Sequence, residues 1–305
     1  MRTIRSAPAL RRASREARAR GERIGFVPTM GALHRGHLAL VERARRENDR
    51  VIASIFVNPL QFGPGEDYQR YPRARRTDHA LLRAGGVDLL YAPAAERLYP
   101  QGFTTRVAVP ALDGVLCGRF RPGHFTGVAT VVMKLLAAAE PDRLYLGSKD
   151  YQQAQILRRM VADLDLGVAV VVCPTVREAD GLAMSSRNAY LTPEERRWAP
   201  ALYRALREAA SGIRAGRIAT PAAARREVTR LLRDGPGRLQ YVEVRGADGL
   251  EEMPHLRGEL VLAVAYFLGK ARLIDNVVVR APGTSRPAGR ARAARQAGTK
   301  GKEKS

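Results

Sequence analysis

The chain has 305 residues, 45% of them hydrophobic, and 52 Lys and Arg against 30 Asp and Glu give a formal net charge of +22. That length suits two domains or one large α/β domain, and the apolar runs at 168–172 and 260–268 are too short or too interrupted to span a bilayer. The two cysteines, Cys117 and Cys173, lie far apart without a CxxC spacing, which argues against a disulfide framework and fits a reducing cytoplasm.

The basic excess favours polyanions, so nucleic acid or a phosphate-rich substrate is in play. Much of it is local. Residues 282–305 hold seven basic side chains and one acid, Glu303, with almost no large apolar group, and are expected to be disordered. The first twenty residues are Arg-rich like a transit peptide, but 9–20 also reads as an amphipathic helix stopping at Gly21, and the helix is preferred.

In chain order, 24–28 is a short apolar run before a Gly-rich turn and reads as a buried strand. Residues 36–46 follow as a helix with Leu38, Val41 and Ala44 on one face. The β-branched run 51–57 is a second strand, 75–84 a helix and 87–91 a third strand. The alternation resumes with a helix at 126–139, a strand end at 144–146, a helix at 151–162 and a strand at 168–173. Asp150 and Gln153 have capping-box spacing, which starts that helix just after Lys149. Strands alternating with helices indicate a parallel sheet with right-handed crossovers. Beyond about 175 the order changes. Thr192-Pro193-Glu194-Glu195 is a capping box with Pro at the first helical position, opening helices at 194–214 and 222–233. Strands at 239–244, 260–267 and 272–279 complete a smaller α+β domain. The expected division is 1–175, 176–281 and a tail from 282.

Five segments carry chemistry. Met30, Gly31, Ala32, Leu33, His34, Arg35, Gly36 and His37 join a strand to a helix, where backbone N–H groups and the helix dipole favour phosphate. His34 and His37 can stabilise charge on a departing pyrophosphate, although polar residues at a plain helix start would look alike. No Glu or Cys stands at ligand spacing beside them, so no protein-held metal site is expected. Gly147, Ser148, Lys149 and Asp150 precede Gln153 at a second strand-to-helix junction, where Lys149 can reach a phosphate or simply be solvated. Met184, Ser185, Ser186 and Arg187 can wrap a triphosphate or form a polar interdomain loop. Asn58 and Gln61, just past the second strand, suit a hydroxy acid, or mark an Asn-Pro turn. Arg121-Pro122-Gly123-His124 bends the chain into the helix at 126, with ligand contact and a structural turn equally open.

Taken together, these segments resemble the pantothenate synthetase family. The matches are VPTMGALHRGH at 27–37, SIFVNPLQF at 54–62, RYPR at 70–73 and RPGHFTGV at 121–128. They continue with GSKDYQQ at 147–153, DGLAMSSRNAYLT at 180–192 and ARLIDN at 271–276. The likeness extends to about Val279. It implies a HIGH-motif nucleotidylyl transferase whose N-terminal domain is a Rossmann-like α/β parallel sheet with helices on both faces, with a smaller C-terminal domain that closes over ATP. It implies ATP and Mg²⁺, with pantoate adenylated and then captured by β-alanine. His34, His37 and Lys149 become the catalytic candidates. ATP would contact residues 30–37, 147–150 and 184–187 together with Val176, while Gln61 and Gln153 hold pantoate and Gln61 also receives β-alanine. A cytoplasmic homodimer is implied as well. Ser148 replaces the family's usual Glu and Met184 its frequent Leu, and the basic tail is no family feature. The competing readings are another transferase of this fold and a nucleic-acid-binding side activity of the tail.

Overall fold

The computed structural model describes residues 1–283; the expected disordered tail lies, from 284 on, outside the described residues. Six strands form one sheet: β1 (Arg2–Ile4), β2 (Ile24–Thr29), β3 (Arg50–Ile55), β4 (Leu89–Tyr91), β5 (Arg143–Gly147) and β6 (Ala169–Cys173). Their order is β1-β4-β3-β2-β5-β6, and every pairing is parallel. Buried Ile24, Phe26, Ile52 and Leu144 explain why these runs are apolar throughout, since helices cover both faces. From β2 the chain steps outward to β3 and β4, then returns to lay β5 and β6 on the other side. This reversal leaves a crevice at the carboxyl ends of β2 and β5, the place where such sheets take ligands.

Beyond β6 come the helices Pro193–Trp198, Ala201–Arg214 and Pro221–Leu232, then an antiparallel sheet of β7 (Arg238–Gly246), β8 (Glu259–Leu268) and β9 (Ala271–Arg280) in the order β7-β8-β9. Leu206, Ile213, Val228, Leu262 and Val264 build a second core between these helices and strands. The parallel sheet and the smaller antiparallel one thus match the expected fold class.

Local details differ from the sequence reading. β1 was not expected, because three residues with only Ile4 buried carry no readable period. The helix expected over 194–214 is broken before Pro200, which has no N–H to continue the ladder. Thr192 and Glu195 do form their reciprocal cap. Asp150 caps nothing with its side chain: Ser148–Asp150 is a 3₁₀ turn, which sets Asp150 in the wrong backbone conformation for a cap. Among the described residues, no helix is long and apolar enough to cross a membrane.

Candidate active site

A cleft of about 540 Å³ lies between the carboxyl ends of the parallel strands and β9. It is lined by Met30, His34, Gly36, His37, Asn58, Gln61, Gly147, Lys149, Asp150, Gln153, Val176 and Met184 to Arg187. Four loops thus bring the candidate residues together. Gly31, Ala32, Leu33, Arg35 and Ser148 are not part of the lining.

The backbone N–H groups after β2 are largely spent within the chain rather than offered to a ligand. Thr29 Oγ1 accepts from Gly31 N–H at 3.2 Å. The carboxylate of Asp78 accepts from Ala32 at 2.9 Å and from Leu33 at 2.8 Å. His34 N–H donates to His37 Nδ1 at 3.3 Å, and Gly36 N–H donates to His34 Nδ1 at 3.1 Å. A Cβ on Gly36 would lie 2.9 Å from the His34 ring, so only glycine permits this cap. Because each Nδ1 accepts, each neutral ring carries its proton on Nε2. The rings sit 4.1 Å apart. Burial, reinforced by the nearby positive charge of Lys149, holds His34 down to about 4. Burial, then His34 and Lys149, holds His37 down to about 3. Both are therefore uncharged donors near neutral pH. Lys149 has no ion-pair partner among the described residues.

Across the cleft, Asn58 Nδ2 donates to Gln61 Oε1 and to the Gly127 carbonyl, both at 3.0 Å. Its Oδ1 accepts from Tyr99 at 2.8 Å and from Leu60 N–H at 3.3 Å. With Asn58 only 1% exposed, that amide is spent on the fold. Gln61 is left with Nε2 toward Met30 Sδ, at 3.3 Å. The Gln61 backbone carbonyl accepts from Arg121 at 3.2 Å and pairs with His124 Nδ1 at 2.8 Å, while Arg121 is clamped at 2.6 Å by Glu66. The turn at 121–124 is therefore a brace for Gln61. A Cβ on Gly127 would meet the Leu60 carbonyl at 2.2 Å, which explains the glycine in that motif. Gln152 and Gln153 both line the cleft, but Gln152 is buried with its amide bonded to Cys117, Leu112 and Val115, whereas Gln153 is half-buried.

The smaller sheet closes the far side. Asn276 Nδ2 donates to the Ser148 and Lys149 carbonyls at 3.0 and 2.9 Å. Buried Asp275 takes Arg177 in a fork at 2.6 and 2.9 Å, and Arg177 lies 3.5 Å over the Tyr203 ring. Ser148 Oγ pairs with Thr175 Oγ1 at 3.0 Å, so the residue replacing the family's Glu faces a hydroxyl. Arg187 forks onto Asp67 at 2.9 and 3.0 Å, and Tyr71 reaches Ser186 at 3.4 Å. Sequence reasoning missed Asp67, Asp78 and Glu66. The RYPR stretch was their nearest signal, since Tyr71 lines the cleft and Asp78 follows on the next helix.

The Pantoate-beta-alanine ligase family model matches residues 2–278. The chain is 54% identical over 282 residues to the pantothenate synthetase of Halorhodospira halophila, covering 92% of this chain and 99% of the relative. It is 50% identical to that of Moorella thermoacetica over 280 residues, again 92% and 99% of the two chains. The crystal structure of the Thermus thermophilus pantothenate synthetase superposes with a TM-score of 0.84 at 52% identity, over 91% of this chain and 99% of that one. The Francisella tularensis ligase, solved in complex with beta-gamma ATP and β-alanine, gives 0.76 at 36% identity, over 91% and 97%. Matched in sequence over nearly its whole described length and in fold over the same span, the chain belongs to the pantoate–β-alanine ligase family.

Proposed function

We propose that the cleft joins pantoate to β-alanine through a pantoyl-adenylate. ATP-dependent ligation is the family's reaction and this chain's. In the first step a pantoate carboxylate oxygen attacks the α-phosphorus of ATP, the bond to the bridging oxygen breaks, and pyrophosphate leaves. His34 and His37 donate Nε2–H to that leaving group and Lys149 meets its charge. In the second step the β-alanine amine attacks the activated carbonyl, the carbon–oxygen bond to AMP breaks, and the amine loses a proton. No side chain becomes acylated; the protein supplies positioning and directed charge. The observation that carries this reading is the pair of half-buried, neutral imidazoles fixed as Nε2 donors beside Lys149, which has no ion-pair partner among the described residues.

Gln61 and Gln153 hold pantoate, with Asn58 acting through Gln61. Ser185, Ser186 and Arg187 close on the triphosphate as residues 176–281 act as a lid that keeps water from the adenylate. Mg²⁺ enters as part of its ATP complex, with Asp150 a cleft-lining carboxylate that has no ion pair among the described residues. The enzyme works as a cytoplasmic homodimer on this reading. Any nucleic-acid contact belongs to residues 282–305, whose removal leaves ligation intact.

Single-turnover pyrophosphate release from ATP, Mg²⁺ and pantoate, without β-alanine, tests the reading. A burst matching the enzyme concentration is expected. Pyrophosphate that appears only when β-alanine is present would defeat the stepwise scheme.

A further inference from the structure

Gly31 and Ala32 stand consecutively at positive φ, 85° and 50°. Successive residues in such turns point their N–H groups into one concavity, a shape that takes anions. Here the anion comes from the chain itself. Asp78, on the helix Arg75–Ala84, is 1% exposed and accepts from Ala32 and Leu33 with its two oxygens at 2.9 and 2.8 Å. It has no ion-pair partner among the described residues. A Cβ on Gly31 would lie 3.0 Å from Asp78 Oδ2, so the glycine allows the carboxylate its approach. The next residue is His34, whose N–H sets the acceptor face of His37. A buried carboxylate, two amides and two ring orientations thus form one continuous chain of bonds.

We propose that Asp78 is a positioning residue for adenylation: by filling the concavity after β2 it denies it to phosphate and fixes the loop so that both imidazoles present Nε2–H to the departing pyrophosphate. The inference rests on the site reading above. Its consequence is confined to one half-reaction. Capture of a finished adenylate by β-alanine needs no pyrophosphate contact, so Asp78 should not matter there, whereas a residue that merely supports the fold would affect both halves.

The experiment is Asp78→Asn, which keeps the shape but sets an amide N–H₂ against one of the two backbone donors. Expected is a loss on the order of tenfold or more in single-turnover adenylation, with β-alanine capture of preformed adenylate within about twofold and Asp78→Glu partly restoring the first rate. Equal losses in both halves, or normal adenylation by the folded variant, overturn the inference. If Asp78→Asn does not fold, amide hydrogen exchange on the wild-type chain decides: protection of both Ala32 and Leu33 supports the clamp, and exchange at open-loop rates overturns it. His37→Ala run in parallel separates the two levels. If His37→Ala loses adenylation and Asp78→Asn does not, this inference alone fails; if neither does, the site reading fails too.

Discussion

Asn58 turns Gln61. The 3.0 Å bond from Asn58 Nδ2 to Gln61 Oε1 fixes which end of the Gln61 amide is tied to the protein and leaves Nε2 as the donor beside Met30. Two residues that look interchangeable in sequence thereby have separate tasks. Gln61→Ala is expected to raise the KM for pantoate or β-alanine by roughly tenfold or more, the worth of one or two hydrogen bonds, while ATP still binds. Asn58→Ala should show the same pattern together with a lower Tm, because Tyr99 and Gly127 lose a buried partner. Loss of ATP affinity in either variant, read by calorimetry, would contradict this placement.

His37→Ala and Lys149→Ala are each expected to slow adenylate formation on the order of a hundredfold or more with the fold intact. Quenched-flow pyrophosphate release and circular dichroism together check this. Normal turnover in a folded variant would remove these residues from the mechanism.

The same histidines predict a pH dependence. Their folded values, about 4 and 3, lie below the ordinary 6.5, so between those limits the unfolded chain binds protons that the folded chain refuses. Stability is therefore unaffected by these groups above about 6.5 and falls as the pH drops from there toward 4. His124, held down to about 4 by burial and then by Arg121, adds to the same slope. NMR titration of the ligand-free enzyme should find the His34 and His37 rings neutral at pH 6; a midpoint near 6.5 for either would contradict their half-buried, accepting geometry.

Arg187 gives Nε and Nη2 to Asp67, and a triphosphate that takes the guanidinium along that same edge displaces the carboxylate. Asp67→Asn is accordingly expected to bind ATP at least as tightly as the wild type, whereas Arg187→Lys, which loses the planar fork, binds it more weakly. Weaker ATP binding by Asp67→Asn, measured in the same titration, would mean that Asp67 holds Arg187 in its productive pose instead.

The sequence revealed the sheet because its strands are buried on both faces and are punctuated by Gly-rich turns, as at Ile24–Thr29 before Gly31. It revealed the cleft-facing His34, His37, Lys149 and Gln153 because each sits where a strand gives way to a helix. It could not reveal Asp78, which meets Ala32 across 46 positions, since no local pattern marks a carboxylate that bonds at such a distance. Nor could it tell Asn58 and Gln152, buried amides spent on the fold, from the half-buried Gln61 and Gln153, because that division is made by the neighbouring backbone carbonyls. The loop after β2 looked like an open phosphate cradle for the same reason: the carboxylate that takes the Ala32 and Leu33 N–H groups lies 46 and 45 positions away.

In the proposed mechanism the pantoate carboxylate becomes a mixed anhydride with AMP before the amine arrives. Pantoate labelled with heavy oxygen in its carboxylate tests it most directly, with mass spectrometry of the products after a full turnover with β-alanine. Heavy oxygen is expected in AMP and none in pyrophosphate, because the attacking oxygen stays on the α-phosphorus when the amide forms. Unlabelled AMP would contradict it and show that the carboxylate never bonds to that phosphorus.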